Sequence, residues 1–227
     1  FMSPVTVIPQ TSAVAAPTKL YFSPMACSLA SRIACYEGGI AIEYVEVDTK
    51  LKRVSNGDDF FAINPMGQVP VLEIATDVRL TENSAVLQYL ADRFPDAALA
   101  PADGFARARL QQWLGFIGTE LHKAVFVPLL RAGGESAVKD EARGKVALRL
   151  GFLEAHLADH EFLLDDFSVA DAYLWTVLNW ARFAAVELTE WPAVHAYHQR
   201  LLTRPSIAAA VGEEFALWKA AQSRVAA

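Results

Sequence analysis

"KLYFSPMACSLASRIACYEGG", residues 19–39, decides how the chain is read. "KLYF" has strand character, and from 28 to 37 the apolar positions recur at helical spacing until Gly-Gly stops them. Cys27 falls where the strand hands over to the helix. Unpaired N–H groups and the positive end of the helix dipole gather at such a junction, which favours thiolate over thiol. Position alone equally allows a small side chain tolerated at a tight turn, and no C-x-x-C partner accompanies it.

Working outward, "IEYVEVD" (42–48), "QVPVLEI" (68–74) and "VRLTE" (78–82) read as further strands, and Asn83 to Phe94 as an amphipathic helix. The order is β-α-β, a connection, then β-β-α. The connection, 49–67, mixes charge, Gly and Pro and should be irregular or only shortly helical. "FPDAALAPADGFA" then reads as a linker. Beyond it apolar seams recur at helical spacing: Leu110, Leu114, Ile117, Leu121; Val146, Leu150, Leu153, Leu157; Val169, Tyr173, Val177, Trp180. The fold class expected is therefore α/β followed by all-α. The boundaries are an extension or tag remnant at 1–18, an α/β domain at 19–95, a linker at 96–104 and a helical domain at 105–227.

The chain has 227 residues, is 53% hydrophobic and carries a net charge of −6, which argues for a globular protein without a nucleic-acid-binding surface. No apolar run approaches the roughly 20 residues needed to cross a bilayer. The first 18 residues fit a secretory signal poorly. Two cysteines separated by eight helical residues lie roughly 12 Å apart, beyond bridging distance, and two free thiols point to a reducing cytoplasm.

Other candidate sites each have a plain structural reading beside the functional one. A cis Val69–Pro70 bond would turn the Val69 backbone toward an extended peptide; a trans proline at a strand edge explains the sequence too. Glu82, Asn83 and Ser84 stand at a helix start, where a carboxylate can bind, or where Asn and Ser merely cap. Ser168 and Asp171 have capping-box spacing, a structural role. His122 sits in a helix beside Lys123. His156 with His160, and His195 with His198, have spacings that could chelate a metal, but no third ligand supports either pair; they read as surface histidines and no metal is expected.

Several blocks in order, "KLYFSPMACSLASRIA", "FFAINPMGQVPVLEI", "LTENSAVLQYLADRFP", "WLGFIGTELHKAVFVPLL" and "FSVADAYLW", make the chain resemble the cytosolic glutathione S-transferases, most closely the bacterial beta class. The resemblance runs from Lys19 to about Trp218. It implies a thioredoxin-like domain that holds glutathione and an all-helical domain that walls a pocket for a small apolar electrophile. Cys27 then matches the cysteine beside the glutathione sulfur, and Val69 with cis Pro70 the backbone pair that holds the tripeptide. Lys52 matches a basic residue at its glycine end, and Glu82 with Asn83 the acid-plus-polar pair at its γ-glutamyl end. Thr119, Glu120, Leu121, His122 and Lys123 match the helix stretch facing the sulfur, with His122 its hydrogen-bonding member.

Many family members have Ser where this chain has Asn83, which can still donate to a carboxylate. Tyr21 and Ser28 are further candidates for thiol activation, and Phe116, Phe126, Trp175 and Trp180 are available to the cavity or to the core. The implied chemistry is attack of the glutathione thiolate on an electrophile. Cys27 also permits a mixed disulfide, hence thiol exchange or quinone dehalogenation. A cytoplasmic homodimer is implied. Alternatives are a non-catalytic interaction or ligand-carrier module and, less favoured, a glutathione-dependent isomerase.

Overall fold

The computed structural model describes residues 18–225. The expected extension at 1–18 therefore lies almost wholly outside the described residues. Five strands form one sheet in the order β3-β2-β1-β4-β5: β1 Lys19–Phe22, β2 Glu43–Asp48, β3 Arg53–Val54, β4 Val71–Ala75 and β5 Val78–Thr81. β1 runs parallel to β2 and antiparallel to β4, and β4 is antiparallel to β5. The parallel pair requires a crossover, which helix α1, Leu29–Glu37, supplies. The connection after β2 is less irregular than its composition suggests, because Arg53–Val54 pairs back onto β2. Two residues are too few to show any periodicity.

Helix α2 spans Asn83–Arg93, and the helices that follow are α3 Gly104–Phe116, α4 Val127–Leu130, α5 Ser136–Leu157, α6 Val169–Leu178, α7 Pro192–Leu202 and α8 Pro205–Val225. Between α3 and α4 the chain stays helical through a widened π segment, Ile117–Phe126, at whose end the Val127 N–H reaches the His122 carbonyl five residues back. Every residue of the three apolar seams is buried. One core runs through both halves of the molecule, joining Leu29, Ile33 and Leu87 to Leu114, Leu150 and Trp175. A smaller core of Tyr21, Val47, Val54, Phe60 and Val71 covers the other face of the sheet.

The start of α6 carries a capping box. Ser168 Oγ accepts the Ala170 N–H, and Asp171 Oδ2 accepts the Ser168 N–H at 2.9 Å. Asp171 does more than cap, because its Oδ1 also accepts from the Leu163 N–H and the Tyr197 hydroxyl, each at 2.9 Å, with the side chain fully buried.

The junction between β1 and α1 is gripped from the helical half. Met25 adopts a left-handed backbone, φ 63°, which costs a non-glycine residue about 1 kcal/mol or more and persists only where surroundings enforce it. The buried Glu214 of α8 accepts the Met25 N–H at 2.8 Å, and Trp180 Nε1 donates to the Met25 carbonyl at 2.9 Å. Glu214 in turn pairs with Arg32 of α1 at 3.0 Å, whose guanidinium lies 3.9 Å from the Tyr44 ring centre. Cys27, two residues on, thus stands on a turn held at both its N–H and its carbonyl.

Candidate active site

Cys27, from the β1–α1 turn, faces the segment leading into β4. The Val69–Pro70 bond is cis, and the Cys27 thiol donates to the Val69 carbonyl at 3.3 Å. Asn64 fixes that segment by donating Nδ2 to the Gln68 carbonyl at 2.8 Å and accepting the Met66 N–H at 3.1 Å. The β5–α2 junction closes a second side. Glu82 takes a left-handed backbone, φ 67°, just before α2, and Asn83 is buried with Oδ1 accepting from Ser31 at 3.0 Å. The π segment forms the third side. Together these elements enclose a cleft of about 250 Å³ lined by Cys27, Val69, Pro70, Glu82, Asn83, Thr119, His122, Lys123 and Tyr173.

Lys52, Glu120 and Leu121 do not line this cleft. Lys52 donates Nζ to the Gly67 carbonyl at 2.7 Å, so it braces the loop before Val69 from the side. Glu120 is turned to Arg149, 2.6 Å away, and Leu121 is fully buried in the core. A helix explains the split: neighbours i and i+1 point in different directions, whereas Thr119, His122 and Lys123, at i, i+3 and i+4, share a face. The other activation candidates are engaged elsewhere. Tyr21 packs in the small core near Phe60, and Ser28 Oγ is buried against the Ser23 backbone.

Phe116, Phe126, Trp175 and Trp180 are not in the lining. Phe126 and Trp175 are fully buried, Trp180 is tied to Met25, and Phe116 packs on Trp113 and Phe152. Tyr173 is the residue that sequence reasoning placed only in an apolar seam. Its hydroxyl lies 2.7 Å from His122 Nδ1 in the buried wall of the cleft. A tyrosine inside an apolar seam needs a partner for its hydroxyl, and that need was the available signal. Gly115 and Gly118, one turn apart, keep the same wall low.

The electrostatics correct the expectation for Cys27. Burial outweighs the nearby Lys123 charge and the backbone N–H groups of Cys27 and Ser28, and pushes the thiol up to about 11. A thiol four units below its pKa is ionised only to about one part in ten thousand, so at pH 7 Cys27 is a neutral S–H donor. Burial, helped by Lys123, pushes His122 down to about 4, so its imidazole is neutral. Burial and the neighbouring Cys27 raise the Tyr173 phenol well above its ordinary value, so the hydroxyl stays protonated. Trp180 meets the His122 ring edge-on, centroids 4.9 Å apart. Among the described residues no group of three His, Cys, Asp or Glu could hold a metal. His156 and His160 stack on each other, and His198 stacks on Trp175 with both ring nitrogens buried.

A sheet with a thiol at its first strand–helix turn, the carbonyl of the residue before a cis proline opposite that thiol and a helical domain closing the cleft define a thioredoxin-like, thiol-handling protein of two parts. Residues 24–93 match the family described as "Glutathione S-transferase, N-terminal domain", and residues 119–205 the one described as "Glutathione S-transferase, C-terminal domain". The chain is 41% identical over 198 residues to glutathione S-transferase GstA of Escherichia coli O157:H7, covering 86% of this chain and 98% of that protein. The solved structure of a bacterial beta class glutathione S-transferase from Sphingomonas chungbukensis matches with a TM-score of 0.83 and 45% identity, over 87% of this chain and 98% of the other. A sphingomonad glutathione S-transferase complexed with glutathione also matches at 0.83, with 40% identity over the same shares. The chain belongs to the glutathione S-transferase family.

Proposed function

We propose that the protein conjugates glutathione to small apolar electrophiles, with glutathione-dependent thiol exchange through Cys27 as a second chemistry. The reading is carried by the cleft that joins Cys27, the Val69–Pro70 backbone and Glu82–Asn83 to Thr119, His122 and Lys123 of the π segment. Val69 would hold the tripeptide by its backbone, and Glu82 with Asn83 its γ-glutamyl end. Lys52, beside the Gly67 carbonyl, would serve the glycine end.

The thiol of free glutathione is mostly protonated at neutral pH, so the site must favour the thiolate with donors and positive charge. The neutral Cys27 S–H can donate to that sulfur in place of the Val69 carbonyl. With the Tyr173 hydroxyl donating to His122 Nδ1, the imidazole carries its proton on Nε2 as a second donor. The Lys123 charge adds to both. For thiol exchange Cys27 must first lose its proton, which burial opposes. The isomerase alternative is weaker here, since the Ser28 hydroxyl is engaged with the Ser23 backbone.

Exposed Phe105, Leu148 and Phe152 on α3 and α5, with Phe61 and Met66 on the loop before β4, support a homodimer. No helix among the described residues is long and apolar enough to cross a membrane, and a cytoplasmic location is proposed.

Calorimetric titration of reduced glutathione into wild type and Cys27→Ala, with rates on 1-chloro-2,4-dinitrobenzene, tests the reading. Binding and conjugation by the wild type are expected, and a single adduct of glutathione mass after oxidised glutathione only when Cys27 is present. Absence of binding to both proteins would leave a non-catalytic module.

A further inference from the structure

The two groups proposed to donate to the glutathione sulfur come from different halves of the molecule, Cys27 from the β1–α1 turn and His122 from the π segment, and both line the cleft. They are far apart along the chain, so no local geometry sets one against the other. Two donors serve one sulfur only when both stand at the right distance and angle, because hydrogen bonds weaken steeply outside a narrow range. A side chain that touches both supports would set their spacing.

Trp180 touches both. It lies two residues past the end of α6, its N–H bonded to the Val177 carbonyl at 3.1 Å, and it follows Tyr173 by two helical turns, so the two share one side of the helix. Its indole Nε1 donates to the Met25 carbonyl at 2.9 Å, holding the left-handed turn two residues before Cys27. The same ring meets the His122 imidazole edge-on, with 4.9 Å between centroids and 68° between planes. Tyr173 takes the other hold on that imidazole, at Nδ1. Trp180 is 7% exposed and lies behind the cleft lining, so it acts on the reaction only through its neighbours.

Trp175 of the same helix offers a matched comparison. Its indole Nε1 also donates to a backbone carbonyl, that of His198, at 3.0 Å, and its side chain is fully buried. That bond ties α6 to α7 rather than to the cleft.

We propose that Trp180 is a positioning residue that holds Cys27 and His122 at the spacing at which both stabilise the glutathione thiolate. A tryptophan that only packs would contribute to stability and nothing else. The inference rests on the conjugation reading.

The ultraviolet absorbance of the bound thiolate, taken as difference spectra between glutathione-saturated and free protein across a pH series, gives the pKa of the bound thiol. Trp180→Phe is expected to raise that pKa by about one unit and to lower kcat for 1-chloro-2,4-dinitrobenzene about fivefold. The calorimetric Kd for glutathione, measured at a pH where the bound thiol is protonated, should change little. Trp175→Phe should lose comparable stability in urea while its bound thiol titrates as in the wild type. Should Trp180→Phe not fold, β-benzothienylalanine placed at position 180 keeps the bicyclic shape, lacks only the N–H, and should show the same shift. A folded Trp180 variant that titrates like the wild type, or an equal shift in Trp175→Phe, overturns the proposal and leaves the conjugation reading standing. No glutathione-dependent thiolate signal in the wild type would overturn both.

Discussion

The Tyr173 hydroxyl sits 2.7 Å from His122 Nδ1, joining α6 to the π segment across the wall of the candidate cleft. The pair fixes the imidazole ring, and with the hydroxyl as the donor the ring proton lies on Nε2. Tyr173→Phe is expected to lower kcat/KM for conjugation roughly tenfold, about 1.4 kcal/mol of transition-state stabilisation, with the calorimetric Kd for glutathione little changed. An equal loss in binding would place Tyr173 in ground-state recognition instead.

His122 and His198 are both held near 4, below the ordinary histidine value, by burial. A histidine depressed in the fold binds protons better when unfolded. Its contribution is therefore whole above the unfolded pKa, near 6.5, and is lost as pH falls toward 4. At pH 5.5 the loss is about 1 kcal/mol per histidine. Urea unfolding at pH 7.5 and 5.5 should show this drop, and His122→Gln should reduce it. Equal acid sensitivity in the variant would mean that His122 titrates normally.

The Cys27 thiol, pushed up to about 11, should react slowly with iodoacetamide at pH 7. Its rate should climb about tenfold per pH unit toward pH 10, because only the thiolate attacks. Cys35 is fully buried and pushed up to about 12, and should stay unlabelled while the protein is folded. Mass spectrometry of the labelled peptides reads both. A rate that levels off below pH 8 would mean a thiolate at rest.

Asp171 serves the Ser168 N–H and hydroxyl, the Leu163 N–H and the Tyr197 hydroxyl from a fully buried position. Asp171→Ala leaves those donors unpaired, and a loss of roughly 3–5 kcal/mol in urea unfolding is expected. Asp171→Asn keeps one acceptor oxygen and should lose less. A loss below 1 kcal/mol for Asp171→Ala would mean that water replaces the carboxylate.

The seams at Leu110, Val146 and Val169 and the turn at Cys27 were legible because each is a local pattern, a period or a junction. The capping box was legible for the same reason, being complete within four residues. The two-residue strand β3 carries no period and could not be read. In the stretch from Thr119 to Lys123 sequence order could not tell which side chains face the cleft; helix geometry turned Glu120 to Arg149 and Leu121 into the core.

By itself the sequence determined the order of the longer elements, the thiol at the first turn, the proline-led strand entry and the acid-led helix start, since all are set by neighbours along the chain. Tertiary structure alone decided that Tyr173 supports His122, 51 residues away, and that Glu214 grips Met25 from 189 residues away. It also reversed the electrostatic expectation at Cys27. A helix N-terminus favours a thiolate, but Val69, the π segment and Tyr173 pack around the half-buried thiol and withdraw part of the water that would solvate it. Here desolvation, a property of the assembled fold rather than of any local stretch, is the larger effect.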